Sequence, residues 1–141
     1  MPLLRPTDFR QSHYDAVVRL LGQLTTRDIT FTEGDYRRLI ESSNSSLFLL
    51  LDGDTVTGML TVGTYLSPTG SKAWIEDVVV DTACRGRGLG RQLVAYAIDY
   101  CRLQGIETLY LTSNPKRIAA NALYQSLGFE RKETNLYRMK L

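Results

Sequence analysis

The sequence predicts an α/β domain built around one mixed sheet, and three observations carry that prediction. Strand-like and helix-like segments follow in the order βαα, βββ, αβ, αβ, without internal repeat, linker or low-complexity stretch. The apolar run Ile75-Glu76-Asp77-Val78-Val79-Val80 leads into the turn Arg85-Gly86-Arg87-Gly88-Leu89-Gly90-Arg91, and an amphipathic segment follows. The chain has 141 residues, a length that suits a single domain, 1–141, able to bury a core of its own.

The elements can be justified in order. Leu3-Leu4-Arg5-Pro6 reads as a short strand stopped by its proline. Ser12 is placed to cap a helix running to about Leu24, with Val17, Val18, Leu20, Leu21 and Leu24 as its apolar face. Thr32 stands three residues before Asp35, a capping box with a short acid, and opens a helix to about Ser42 that buries Tyr36, Leu39 and Ile40. Leu47 to Leu51 is a buried strand, Asp52-Gly53-Asp54 a hairpin turn, and Thr55 to about Leu66 the return strand. A turn at Ser67 to Ser71 precedes the fourth strand, Lys72 to Val80.

After the Gly/Arg turn, Leu89, Leu93, Ala97 and Cys101 repeat at helical spacing, and Gly105 ends that helix. Thr108 to Thr112 is a fifth strand, about Ile118 to Leu127 a short helix, and Phe129 to Leu141 two short final strands. His13, the one histidine, is read as a surface residue beside the first helix cap.

Composition excludes several function classes. With 17 basic and 15 acidic residues, the net charge of +2 is no nucleic-acid footprint. Cys84 and Cys101 have neither metal-ligand spacing nor a disulfide framework, so no metal is expected and a reducing cytoplasm is. The first residues lack a signal-peptide core, and the apolar stretch Leu47 to Leu51 is far too short to cross a bilayer. A soluble cytoplasmic protein without membrane or nucleic-acid partners is expected.

The Gly/Arg turn reads as a pyrophosphate site. Glycine permits positive φ and close backbone approach, a helix start offers unpaired N–H groups, and Arg85, Arg87 and Arg91 add charge. Glycines at 86, 88 and 90 do not fit the dinucleotide fingerprint, and Gly90-Arg91-Gln92 does not fit the nucleoside-triphosphate loop. What remains is R-x-x-G-x-G, on Arg85, Gly88 and Gly90; a flexible loop is the bland alternative. Behind its Val-rich strand this motif resembles the acyl-CoA site of the GNAT superfamily of N-acetyltransferases. A second block strengthens the likeness. Ser113-Asn114-Pro115-Lys116-Arg117-Ile118-Ala119-Ala120-Asn121-Ala122-Leu123-Tyr124, running on to Gly128-Phe129, resembles the closing block of these enzymes. Ile75-Glu76-Asp77 is similar to glucosamine-6-phosphate N-acetyltransferases. The Ser113 to Arg117 block and Leu4-Arg5-Pro6 are similar to aminoalkylphosphonate N-acetyltransferases.

The resemblance implies the GNAT fold, a mostly antiparallel mixed sheet flanked by about four helices. It implies acetyl-CoA as donor and a primary amine as acceptor, and it leaves a homodimer open. By matching position, backbone groups of Val78, Val79 and Val80 would meet the pantetheine arm, and a bulge would free the Val78 N–H for the thioester carbonyl. The N–H groups from Arg85 through Gly86, Arg87, Gly88, Leu89, Gly90 and Arg91 would face the pyrophosphate, with Leu89's side chain in the core. Asn114 and Asn121 would contact the donor through their amides, or serve as turn and capping residues instead.

Glu76 or Asp77 would take the amine's proton, Glu76 by a margin; a structural ion pair is the alternative for each. As strand neighbours they leave opposite faces unless a bulge intervenes. Tyr124 would donate to the departing thiolate; the alternative is an aromatic core position. Tyr14, Arg27, Asp28 and Phe31 would border the acceptor, and the segment Thr25 to Phe31 would narrow its cleft toward a small molecule. Trp74 reads either as a border of the acceptor pocket or as a half-buried strand residue. A CoA-binding domain without turnover, and acetylation of a protein or peptide, are the competing readings.

Overall fold

The computed structural model describes all residues from 1 to 141. They fall into two units, residues 1–111 and 112–141. The first holds β1 (Leu3–Leu4), α1 (Gln11–Leu24), α2 (Glu33–Glu41), β2 (Ser45–Asp52), β3 (Thr55–Ser67), β4 (Gly70–Val80), α3 (Leu89–Leu103) and β5 (Thr108–Tyr110). Its sheet runs β1-β2-β3-β4-β5; every neighbouring pair is antiparallel except the parallel β4–β5 pair.

Two cores cover the two faces. Ala16, Val17 and Leu20 of α1 and Tyr36 of α2 pack on Leu47, Leu49, Val56, Met59 and Val79. On the other face, Phe48 meets Tyr96 and Tyr100 of α3 edge to face at 5.2 and 4.9 Å. A side chain at Gly58 would press on Leu93 at 3.0 Å, so glycine there lets α3 lie close to β3. The helices form where the sequence expects them. Thr32 and Asp35 close the capping box of α2 reciprocally.

Three expectations are corrected. The first helix begins at Gln11, not after a Ser12 cap: the extended Arg10 precedes it, and its carbonyl accepts from the His13 and Tyr14 N–H groups. On α1, Val18 and Leu24 face outward, because the sheet covers only a narrow stripe of the helix. His13 is buried, not on the surface, and its Nδ1 has no hydrogen-bond partner; burial first, and Arg10 next, hold its pKa below the usual histidine value.

The second unit holds α4 (Ile118–Ser126) and the C-terminal stretch. Residues 129–141 form no strands, against expectation. Tyr137, Met139 and Leu141 alternate with Arg138 and Lys140, the pattern of a half-buried strand, but a strand exists only where its backbone has a ladder partner.

Candidate active site

The sequence places two carboxylates in the middle of a strand otherwise rich in β-branched residues, and the strand answers with a break in register. Met59 pairs with Val79 and Thr61 with Glu76, so Leu60 stands opposite two residues, Asp77 and Val78. This is a β-bulge, and Asp77 carries its strain: with φ at 52° it is the one non-glycine residue in the left-handed region. Such a conformation costs an L residue about 1 kcal/mol, a type of strain that clusters at functional sites. The bulge also removes the strict alternation that would send Glu76 and Asp77 to opposite faces.

Next to the bulge the sheet opens. β5 pairs with β4 only over Lys72, Ala73 and Trp74. From Ile75 to Val80 the β5-side edge of β4 therefore has no strand beside it. Backbone donors and acceptors along such an edge are a template for an extended, amide-bearing ligand.

Glu76 lies on a definite face. Its partner Thr61 is two residues from Met59 on β3, and Met59 belongs to the core under α1 and α2. Glu76 thus points to the α1/α2 side of the sheet, beyond the area those helices cover, and is exposed. Desolvation at the sheet surface, and then the neighbouring Asp77 carboxylate, raise its pKa above the usual glutamate value.

The strand continues into the Gly/Arg turn. Gly86 and Gly88 have φ of 80° and 73°, which is why glycine is needed at both. Gly88 is the N-cap residue of α3, no side chain caps that helix, and no acid occupies its first turn. The N–H groups of Leu89 and Gly90 have no acceptor within the helix, so the turn presents donors and positive potential to an anion. Leu89 is buried, as expected, and Gly90 lies within the helix. Arg85, Arg87 and Arg91 surround this end; Arg87 is 3.8 Å from Asp52, with both side chains half exposed.

A brace missed in the sequence holds this turn. Asp81, directly after β4, accepts from the Ala83 N–H at 3.1 Å and forms an ion pair with Arg19 of α1. Gln23, one helical turn further on, accepts from the Thr82 N–H at 2.9 Å. An aspartate ahead of a short 3₁₀ turn is a legible cap, but partners some 60 residues away leave no local signal. On the expected acceptor side, Tyr14 donates to the Phe31 carbonyl at 2.6 Å and both rings pack with Tyr36, while Arg27 and Asp28 are exposed.

In the second unit, Asn114 and Asn121 are brought together. Asn121 Nδ2 donates to the carbonyls of Asn114 at 2.9 Å and Arg117 at 2.8 Å, and Asn114 Oδ1 accepts from the Lys116 N–H at 2.9 Å. Both amides shape the turn before α4. Tyr124 is buried, its ring edge-on to Phe129 at 6.2 Å, and its carbonyl accepts the Phe129 N–H.

The sequence profile described as the acetyltransferase (GNAT) family matches residues 14–129. Mycothiol acetyltransferase of Renibacterium salmoninarum is 34% identical over 103 residues, 69% of this chain but only 30% of that protein's length. Glucosamine 6-phosphate N-acetyltransferase of Arabidopsis thaliana is 27% identical over 128 residues, 84% of each chain. A solved structure from Agrobacterium tumefaciens superposes with a TM-score of 0.87 at 21% identity, covering 99% of this chain and all of the other.

Proposed function

Because this chain belongs to the acetyltransferase (GNAT) family, an enzyme family for which acetyl-CoA is the implied donor, we propose that it transfers the acetyl group to the primary amine of a small molecule, by direct attack in a ternary complex. The observation that carries this reading is the continuity of three features. The unpaired edge of β4, the bulge at Asp77 and Val78 and the uncapped start of α3 follow one another along a single stretch of chain.

Each feature has a task. Backbone groups of Val78, Val79 and Val80 hold the pantetheine amides as an added strand would. The turn from Arg85 to Arg91 binds the pyrophosphate through backbone donors, helped by its arginines. The Val78 N–H stabilises the negative charge that develops on the thioester oxygen during attack.

Glu76 removes a proton from the acceptor's ammonium, directly or through water, so that the nitrogen lone pair can form the C–N bond. Its raised pKa makes it a stronger base than an ordinary glutamate. As the C–S bond breaks, Tyr124 gives its phenolic proton to the sulfur, and its phenolate is reprotonated by the second proton that the nitrogen sheds in becoming an amide. Asn114 and Asn121 support the turn that leads into α4, and a donor contact would have to use what their backbone bonds leave over. The packed Tyr14–Phe31 pair stiffens the segment after α1, in keeping with a narrow acceptor cleft and a small acceptor.

A thiol-release screen with acetyl-CoA tests the reading across simple amines, aminophosphonates, amino sugars, polyamines and lysine peptides. Release that depends on a small amine is the expected result. Release with lysine peptides alone would assign a protein acceptor, and tight CoA binding with no release would make the domain a CoA sensor.

A further inference from the structure

On the α1/α2 face of the sheet Glu76 and Tyr65 are exposed and Gly63 and Trp74 partly so, and the side chains there are unusual. Two residues back along β4 on the same face stands Trp74, about 7 Å from Glu76 by strand geometry. Across the parallel pair its partner is Tyr110, and the two rings stack at 4.9 Å with 22° between their planes. Across the antiparallel pair its partner is Gly63. Tyr110 therefore covers one side of the indole, while Gly63 has no side chain to cover the other. A Cβ built on Gly63 would meet no atom within 4 Å, so the glycine leaves a notch on the open face, flanked by Thr61 and Tyr65. Backbone conformation does not demand glycine at 63, because its φ is not positive.

Polar groups at the notch are also arranged. The Trp74 Nε1–H donates to the Tyr65 hydroxyl at 3.3 Å. With its one donor used, the indole can offer a ligand only its π-face. Tyr65 accepts that bond and is 48% exposed, with its own O–H directed by whatever oxygen comes near. A flat apolar surface, a notch without a Cβ, a hydroxyl at the rim and a carboxylate about 7 Å away on the same face suit one kind of occupant.

We propose that Trp74, Gly63 and Tyr65 form the acceptor subsite, and that it selects a primary amine borne on a ring, the ring stacked on Trp74 and the amino group turned to Glu76. This rests on the proposed function only in giving Glu76 the amine. Trp74 and Gly63 are then specificity-determining residues. An open-chain amine reaches Glu76 equally well but covers less of the indole.

Trp74 is the single tryptophan of the chain, so its fluorescence reports the subsite directly. Cyclohexylmethylamine and n-heptylamine, of equal carbon number, are titrated into the wild-type protein and Gly63→Val in the presence of CoA. The wild type should respond saturably to the ring amine, with about tenfold tighter binding than to the open chain. Gly63→Val puts a side chain into the notch at a position where its Cβ meets no atom within 4 Å, and should abolish that preference. Equal responses to the two amines, or a preference that survives Gly63→Val, would overturn the proposal. Acetyl transfer to the same two amines separates the two claims. Ring-selective binding without CoA release sinks the acetyltransferase assignment and leaves the subsite standing. Equal acetylation of both amines leaves the enzyme standing and sinks the subsite.

Discussion

Arg19 of α1 and Asp81 at the end of β4 form an ion pair across 62 residues of sequence, and it joins the helix to the strand just where the strand gives way to the Gly/Arg turn. A second Arg19 nitrogen donates to the Val56 carbonyl at 3.0 Å, and the Asp81 N–H donates to the Thr57 carbonyl at 2.8 Å. The turn is therefore anchored to the core on one side, and at Gly88 it borders open space, where a Cβ would meet no atom within 4 Å. A preorganised anion site needs both, since ordering a loose loop would subtract from binding.

Asp81→Asn should weaken this anchor. The Ala83 N–H first, and Arg19 next, hold the Asp81 carboxyl below its ordinary pKa. A depressed folded-state pKa means stability that is present above the unfolded value of about 3.9 and lost as pH falls through the folded one. Urea melts should show the variant less stable by about 1–2 kcal/mol at neutral pH. The gap to wild type should close in acid. A gap that stays constant down to about pH 2 would remove the carboxylate from the explanation.

Gly88 tests the phosphate assignment. At φ of 73°, alanine is strained even though its Cβ would meet nothing within 4 Å. Gly88→Ala should cost about 1 kcal/mol of stability. Its methyl also projects into the open space from which a phosphate would approach the N–H groups of α3. Calorimetry should show CoA affinity falling by more than the melting temperature suggests, and Arg85→Ala should do less harm because the backbone donors remain. Unchanged CoA affinity in a folded Gly88→Ala protein would place the pyrophosphate elsewhere.

The Glu76–Asp77 pair makes a prediction about pH. Desolvation and the Asp77 charge both raise the Glu76 pKa, so kcat/KM should fall on the acid side at a pH above the ordinary glutamate range. Asp77→Asn removes the like charge and should move that acid limb to lower pH, with the alkaline limb unmoved. Glu76→Gln should lose about 10²–10⁴-fold in kcat/KM at neutral pH and recover part of it in alkali, where more acceptor is already deprotonated. An acid limb that ignores Asp77→Asn would uncouple the two carboxylates.

Much of this was legible in the sequence because local chemistry decides it. The capping box of α2, the turn at Gly53, the start of α3 after Gly88 and the strand carrying Glu76 and Asp77 all follow from neighbouring residues. Long-range relations decide the rest. Nothing near Asp81 announces Arg19, and nothing near His13 announces that α1 turns it inward. Gly63 reads as an ordinary weak point in a strand until the register sets it against Trp74. The C-terminal alternation of Tyr137, Met139 and Leu141 reads as a strand, and that expectation fails because alternation alone supplies no ladder partner.

Tyr124 tests the leaving-group step. Tyr124→Phe keeps the aromatic packing against Phe129 and deletes only the donor. The expected outcome is a fall in kcat with CoA affinity and melting temperature nearly unchanged, because the lost interaction matters mainly in the transition state. Full turnover in a stable Phe variant would leave Tyr124 a packing residue.

The central claim, that this chain moves an acetyl group from sulfur to a primary amine at the open edge of β4, is met most directly by a single-turnover experiment. Enzyme in excess is mixed with acetyl-CoA labelled in the acetyl group and with a small primary amine, and the label is followed by mass spectrometry. The label should pass to the amine nitrogen as free CoA appears, without a labelled protein intermediate, and the step should slow in Glu76→Gln. Label that remains on CoA whatever primary amine is supplied, while CoA itself binds, would contradict the claim.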